Sequence, residues 1–454
     1  MKKLIIILSL LLSLSMGQDY SLSFDGVDTK VEFGQALIPS AGDITIQVSS
    51  YASEGIEGCA EILAQGNGSD PTYFLGVCQG EFRVSHEWQY IINYPIGEWI
   101  NTTVVKNDNG TKLYFNGLLV GETTSIEQPI DIPFYIGCQA SGSSEFWNGK
   151  IDEVRIWDTA LNDEQIQNNY DSELNGDEQG LVAYYNFNAG TGDTLYDHSG
   201  NGNHGTINGA TWVENIYGCT DSYADNYDET ANVDDGSCAY PNNGDYSLSF
   251  DGVDDWVDFG TPSYDNFNSY GNFKLSFDIF INSSNIQSGR FITYSSENPD
   301  GSFHTGVSIN NEGNINFGIC RISATANNDC NGVNADLFFY DEWVNIMAMY
   351  NEGEIKLYIN NVLMDSSSYT GEFAHSSENS RLTLGRSYWV NSFENENSYK
   401  GSIDNVVIWD SIDEQNLLGK WDIDTGEGST LYDHSGNGNH GTIHGAIWVE
   451  NIEG

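Results

Sequence analysis

The residues in this sequence best suited to chemistry are oxygen donors set in glycine-rich turns. The segment DHSGNGNHG occurs at residues 197–205 and again at 433–441. In it, Asp197, Asn201 and Asn203, and then Asp433, Asn437 and Asn439, offer carboxylate and amide oxygens, and the intervening glycines let backbone carbonyls turn inward. Ca²⁺ takes roughly six to eight such oxygens. Asp25 and Asp152, with Asp251 and Asp404 in the repeated motifs, are further candidate ligands. The alternative is that these Asp and Asn side chains only close Asx-turns.

Other chemistries fit poorly. Glycoside hydrolysis with retention needs two carboxyl groups about 5–5.5 Å apart across the scissile bond. In IDEVRIWD (151–158) and IDNVVIWD (403–410), neither Asp152 nor Asp404 has a second acid at that spacing and direction. No G-x-S-x-G nucleophile motif occurs, and the His pairs in HSGNGNHG do not have helical zinc spacing. No catalytic residues are expected. Glycan binding instead needs exposed aromatic rings with polar groups around them. The matched tryptophans Trp99/Trp343, Trp157/Trp409 and Trp212/Trp448 read as core. The unmatched loop aromatics Trp88, Tyr90, Trp147, Tyr388, Trp389 and Phe393 are the candidate sugar contacts.

The elements that must position these residues come in duplicate. YSLSFDGVD stands at 20–28 and at 246–254; EWINTTVVKNDNGTKLYFNG from Glu98 matches EWVNIMAMYNEGEIKLYINN from Glu342. GKIDEVRIWD from Gly149 matches GSIDNVVIWD from Gly401, and LYDHSGNGNHGTINGATWVENI from Leu195 matches LYDHSGNGNHGTIHGAIWVENI from Leu431. The offsets run 226, 244, 252 and 236. The second copy therefore gains residues in its middle, expected in loops, and loses a segment near 159–180. The texture is β, with alternating and β-branched runs between turn residues. Asn116-Gly117 between KLYF and LLVGE signals a two-residue hairpin, and Asn360-Asn361 takes its place in the second copy. One helix is predicted, Asn162 through Tyr170, with Asn162 as cap and Gln165 three residues on.

Met1-Lys2-Lys3, an apolar run to Leu14 and small residues up to Gly17 make an export signal, too short to anchor in a bilayer. Sixty-six acidic residues against sixteen basic ones give a net charge of −50. That excludes nucleic acid as a partner and suits a saline or calcium-containing medium. Seven Cys in an exported chain suggest disulfides, and the close pairs are Cys59/Cys78, Cys219/Cys238 and Cys320/Cys330. Cys138 is left over and is an alternative partner for Cys59 or Cys78. Between the copies, residues 217–243 read as a small linker closed by Cys219 and Cys238, worth about 3 kcal/mol for a loop of this length. Its acids Asp221, Asp228, Asp234 and Asp235, with Asn232, are a weaker calcium candidate.

Three motifs in the same order, twice, carry a family resemblance. SFDGVD, GKIDEVRIWDTALNDEQI and LVAYYNFNAGTGDTLYDHSGNGNHGTINGATW resemble the opening, penultimate and closing segments of laminin-G-like jelly rolls of the concanavalin A-like lectin/glucanase superfamily. The linker resembles a GCTD…DDGSC module that sits between domains of surface proteins. The resemblance implies an all-β fold: two tandem jelly-roll β-sandwiches of antiparallel sheets joined by a small disulfide-closed linker. It also implies one structural Ca²⁺ per domain. Glucanase relatives carry E-x-D-x-x-E on one strand, which both copies lack. In many relatives DHSGNGNHG precedes FDGVDD; here the order is reversed, so each tail pairs with its own first strand or, by a swap, with the neighbouring copy's. The expected layout is 1–17 signal peptide, 18–216 first domain, 217–243 linker and 244–454 second domain. The expected function is a secreted, extracellular or cell-surface binding and adhesion protein for a polysaccharide or surface glycoprotein, not inserted in a membrane. Alternatives are a structural matrix protein without a glycan ligand and, last, a glycoside hydrolase.

Overall fold

The computed structural model describes residues 19–451 except 54–55, 57, 67–72, 90, 126, 128, 131, 141, 171, 261–271, 285, 297–302, 323–327, 338, 352, 370–380, 387–397 and 410–416; the side chains of 295–296, 303–304, 320–322 and 328–330 are likewise left aside. The expected export signal lies outside the described residues. Among the described residues, no helix is long and apolar enough to cross a membrane.

Each copy is two antiparallel sheets around its own core. In the first, one sheet runs Thr211–Glu214, Tyr20–Asp25, Asn148–Trp157, Ile44–Ala52, Trp99–Asn107, Gly110–Phe115, Leu118–Thr123. Leu181–Tyr185 also pairs with Asn148–Trp157. The other sheet runs Thr194–Leu195, Gly205–Asn208, Lys30–Glu32, Phe134–Ile136, Cys59–Gln65, Tyr73–Cys78, Glu81–Val84. Leu22, Val31, Ile46, Leu75 and Ile136 meet between them, fully buried. The opening strand pairs with its own tail, Leu22 opposite Trp212, and in the second copy Leu248 sits opposite Trp448. No strand is exchanged between the copies at these ladders.

Local signals in the sequence were read correctly by the backbone. Asn116 and Gly117 have φ of 46° and 80°, and Asn360 and Asn361 have 50° and 63°, the left-handed values a two-residue hairpin turn demands. Gly149 lies at φ +149°, where a Cβ would sit 1.9 Å from the Tyr51 carbonyl oxygen; only glycine fits that close strand approach. The helix spans Asp163–Asn169, capped by Asn162 in a reciprocal box with Gln165.

The copies differ in two coupled ways. The gain in the second copy is not only loop, as expected, but an added edge strand. Asn328–Asp336 pairs along its whole length with Asn314–Ile322, where the first copy ends at Glu81–Val84 with isolated bridges to Asn93 and Trp88. The loss falls on the segment that holds the helix: twenty-two residues separate Asp158 from Leu181, but six, outside the described residues, separate Asp410 from Leu417. In the first copy the helix packs Ile166 with Leu161, Trp157, Tyr114 and Tyr184 on the outer sheet face. Arg155, fully buried beneath it, donates to Glu153 Oε2 (2.6 Å), to the Ser172 carbonyl (2.6 Å) and to the Asn169 carbonyl at the helix C-terminus. The second copy has Val407 and Asn405 at these two positions, and its strand Phe273–Phe280 alternates buried and half-buried, as a sheet with one covered face should.

The chain divides between Tyr217 and Gly218, so linker residues 218–243 fold with the second copy rather than standing apart. Disulfides join Cys59–Cys78 and Cys219–Cys238. Cys320 and Cys330 are direct cross-strand partners, but their side chains lie outside the described set. Cys138 is free and buried rather than an alternative partner, and burial pushes its thiol up to about 12. Arg155→Ala should destabilise the first copy by about 3 kcal/mol, because it strands Glu153 and the helix carbonyls. Asn162→Ala should cost about 1 kcal/mol. Urea unfolding of the full chain measures both, and equal small losses would contradict the assignment.

Candidate functional site

The glycine-rich turn is assembled around one carboxylate. Asp197 Oδ1 accepts the N–H groups of Tyr184 (3.1 Å) and Ser199 (2.9 Å), and Oδ2 accepts that of Asn203 (2.8 Å). Asp433 does the same with Lys420, Ser435 and Asn439, all at 2.9 Å. The amides of Asn201 and Asn203, like those of Asn437 and Asn439, donate to carbonyls of the preceding strand. The residues expected to cradle calcium are thus brought together three to a turn, and the Asp carboxylate in each turn accepts backbone N–H groups in an Asx-turn arrangement.

The other expected ligands are apart. Asp25 pairs with Asn148 at one end of the opening strand, and Asp152 lies four residues along the partner strand. Asp152 is buried, and accepts from Glu153 N (2.7 Å) and Asn215 Nδ2 (3.2 Å). Asp404 repeats this with Asn405 N (2.7 Å) and Asn451 Nδ2 (3.1 Å). Burial pushes Asp152 well up, and it pushes Asp404 up to about 7.

The candidate sugar contacts fare unevenly. Trp147 is 0 % exposed and belongs to the core, so the expectation that it meets a ligand is corrected. Trp88 is half-buried against the same core, under the Leu118–Thr123 strand at Gly121. Tyr90, Tyr388, Trp389 and Phe393 lie outside the described residues. Trp343, expected in the core, is 38 % exposed and meets Phe280 edge-on.

A site of which the sequence pointed to Asp251 alone lies in the second copy, just past the opening strand. Asp251, Asp254 and Asp255 bring carboxylate oxygens within 4.8 Å of one another. Asp255 is buried and accepts the Asp251 N–H at 2.7 Å, where the first copy uses the Thr29 hydroxyl to accept from Asp25. Burial, then the neighbouring Asp251 and Asp254 carboxylates, push the Asp255 carboxyl up. Next along the chain, the half-buried Trp256 ring stacks on the exposed His444 ring, centroids 4.6 Å apart and 17° from parallel. The Arg386 guanidinium sits 5.6 Å from the Trp256 centroid. The first copy has Lys30 and Asn208 in place of that aromatic pair. Ser398 Oγ donates to the Val253 carbonyl (2.9 Å), so both Arg386 and Ser398, the flanks of the segment bearing Tyr388, Trp389 and Phe393, contact the Asp251–Trp256 turn. The signal was present in the sequence: directly after the identical YSLSFDGVD, Thr29-Lys30 becomes Asp255-Trp256.

A family model of the concanavalin A-like lectin/glucanases superfamily matches residues 25–167 and again 251–413. The chain belongs to that superfamily. Of the two matching strands, Asn148–Trp157 carries the neighbouring acids Asp152 and Glu153, and Lys400–Trp409 carries Asp404 alone. Two carboxylates do meet in the first domain, where Glu61 and Glu145 flank Arg83. Glu61 is 1 % exposed, and burial followed by Glu145 pushes its carboxyl up to about 9. No curated protein sequence matches this superfamily member. Among solved structures it is similar to a putative carbohydrate-binding protein from Bacteroides ovatus, with 16 % identity and TM-score 0.34 over 44 % of this chain and 60 % of that one. It is also similar to the mouse laminin α1 chain domains LG4-5, with 10 % identity and TM-score 0.26 over 86 % and 88 %. A third is the sialyllactose-bound sialidase module CBM40 of Ruminococcus gnavus, with 12 % identity and TM-score 0.28 over 35 % and 85 %. The chain thus spans less than two thirds of the length of the first of these, and at such TM-scores the likenesses carry no argument about a ligand.

Asp404 gives this fold a pH signature. Its carboxyl holds a proton up to about 7 when folded, against 3.8 without the fold. The folded state therefore binds more protons across that window, and stability falls as pH rises through it. Asp404→Asn should flatten that slope in urea titrations between about pH 4 and about pH 8; an unchanged slope would contradict the assignment.

Proposed function

We propose that this is an exported, non-catalytic glycan-binding protein, and that the second domain carries the binding surface. The stacked Trp256–His444 pair, with Arg386 and three acids beside it, is the observation that supports this most. A flat aromatic surface suits the C–H face of a pyranose, and carboxylates and a guanidinium at its rim suit the hydroxyls. Tyr388, Trp389 and Phe393 enter as loop contacts to the same ligand, a polysaccharide or surface glycoprotein. Binding to a glycan array should fall about tenfold in Trp256→Ala, equivalent to about 1.4 kcal/mol of lost stacking. If no glycan binds the full chain, or if Trp256→Ala binds as well as the parent, the proposal fails.

Calcium belongs to the same reading, moved from the glycine-rich turn to Asp251, Asp254 and Asp255. Three clustered carboxylates repel one another, and a hard divalent cation that takes oxygen ligands relieves that repulsion. These residues fit such an ion, which would order the turn that carries Trp256. Calcium at about a hundred times its Kd should stabilise the second domain by about 2.7 kcal/mol. Asp255→Thr, which restores the first domain's residue, should abolish the calcium-dependent rise in Tm. A Tm indifferent to calcium and chelator would remove the metal and leave the sugar platform standing.

A further inference from the structure

The closing segment LYDHSGNGNHGTI is identical in the two domains, at 195–207 and 431–443, yet its outward side chains meet different surroundings. In the second domain the loop closed by Cys219–Cys238 lies on them. Asp221 Oδ2 is 2.7 Å from His440 Nε2, and the Tyr223 ring is 4.8 Å from the His440 ring. Tyr240 stacks on Tyr432 at 5.5 Å and meets His434 edge-on at 5.1 Å. At the rim, Asn243 donates through N to the Asp424 carbonyl (2.9 Å) and through Nδ2 to the Thr425 carbonyl (2.6 Å). Under this cover Tyr432, His434 and His440 are all half-buried.

In the first domain the same three side chains, Tyr196, His198 and His204, are exposed, Tyr196 to 51 %. They are already held in place, since Tyr196 meets His204 at 5.6 Å and His198 meets Tyr184 at 6.1 Å. The backbone beneath them is fixed by Asp197 in the way Asp433 fixes its counterpart. The pattern C-T-D-x-Y…C-x-Y occurs once, at Cys219 to Tyr240, and its end leads within a few residues into the strand Tyr246–Asp251 of the second domain.

We infer that Tyr196, His198 and His204 form a docking face for a disulfide-closed acidic loop of another protein, one that presents an Asp carboxylate between two tyrosine rings. The occupied face of the second domain states the chemistry: an imidazole–carboxylate contact enclosed by ring stacking. The rim is less complete in the first domain. Asn188 and Ala189 replace Asp424 and Thr425, so the side-chain bonds Asn242–Asp424 (3.1 Å) and Thr425–Pro241 (3.3 Å) have no counterpart, while both backbone carbonyls remain. Docking there is accordingly weaker than the intramolecular contact and reversible.

The probe is the oxidised peptide of residues 218–243, titrated into the full chain and followed through the His198 and His204 imidazole resonances. A companion full chain carries a second copy of residues 218–243 directly before Asp19, which gives the loop the chain position it has before the second domain. We expect saturable shifts of both resonances with the peptide and the same shifted positions in the companion chain. Tyr196→Ala in the receptor, or Asp221→Ala in the peptide, should weaken peptide binding at least tenfold. Silence of both histidines in both arms overturns the proposal. So does a shift in the companion chain alone, which would mean the face accepts a loop only when tethered. Binding that survives Tyr196→Ala but is lost in Tyr432→Ala places the peptide on the second domain, and concentration-dependent self-association of the unmodified chain that Tyr196→Ala removes makes a second copy the occupant; either result also overturns it.

Discussion

Each domain is closed by a single buried carboxylate. Asp197, and Asp433 in the second domain, collects backbone N–H groups from two directions, one from the strand before the turn and others from within it. Burial alone would raise the Asp197 carboxyl, but the N–H groups of Asn203, Ser199 and Tyr184 outweigh it and hold the group below the usual carboxylate range. The carboxylate thereby ties the closing segment to the Leu181–Tyr185 strand, and through it to Asn148–Trp157. The outward Tyr and His side chains ride on a backbone that has little freedom left. A flexible turn with the same sequence would offer no surface of defined shape.

Around that shared closure the two domains have exchanged residues in groups rather than singly. Arg155 and Glu153 accompany the helix they anchor; in the second domain, where only six residues fill the equivalent segment, Val407 and Asn405 stand instead. The second sheet shows the same linkage. The ladder register places Glu61, Cys138 and Lys30 of the first domain where the second has Arg290, Arg386 and Trp256. A buried acid with its own Arg83 in one domain has become a cation-rich, aromatic-bearing face in the other. Divergence of this kind leaves the sandwich intact and changes what its rim can bind.

The strong negative charge also reads differently at residue level. Many of the acids close turns, as Asp25 does for the N–H groups of Val27 and Asp28, and so have a local structural use whatever the medium. The Asp251–Asp254–Asp255 group differs because Asp255 brings a third carboxylate where the first domain uses the Thr29 hydroxyl. That extra carboxylate sets this turn apart from its counterpart in the first domain.

The sequence by itself determined what depends on short-range rules. The duplication, the hairpin turns at Asn116-Gly117 and Asn360-Asn361, the helix with its Asn162 cap, and the sandwich built from alternating strands all follow from local conformational preference and hydrophobic period, which act within a few residues. Only the tertiary structure decided which aromatic rings are open and which oxygens are free. Trp147 is sealed in the core, as is Tyr399 at its place in the second domain, Trp256 is a strand residue yet half-exposed, and the Asp carboxylate of the DHSGNGNHG turn is met both by N–H groups of the turn itself and by one from a strand more than ten residues away. Exposure and hydrogen-bond occupancy are properties of what packs around a residue, and that is set by contacts across the fold: the same thirteen-residue segment is covered in one domain and open in the other because the loop that reaches it comes from over two hundred residues away.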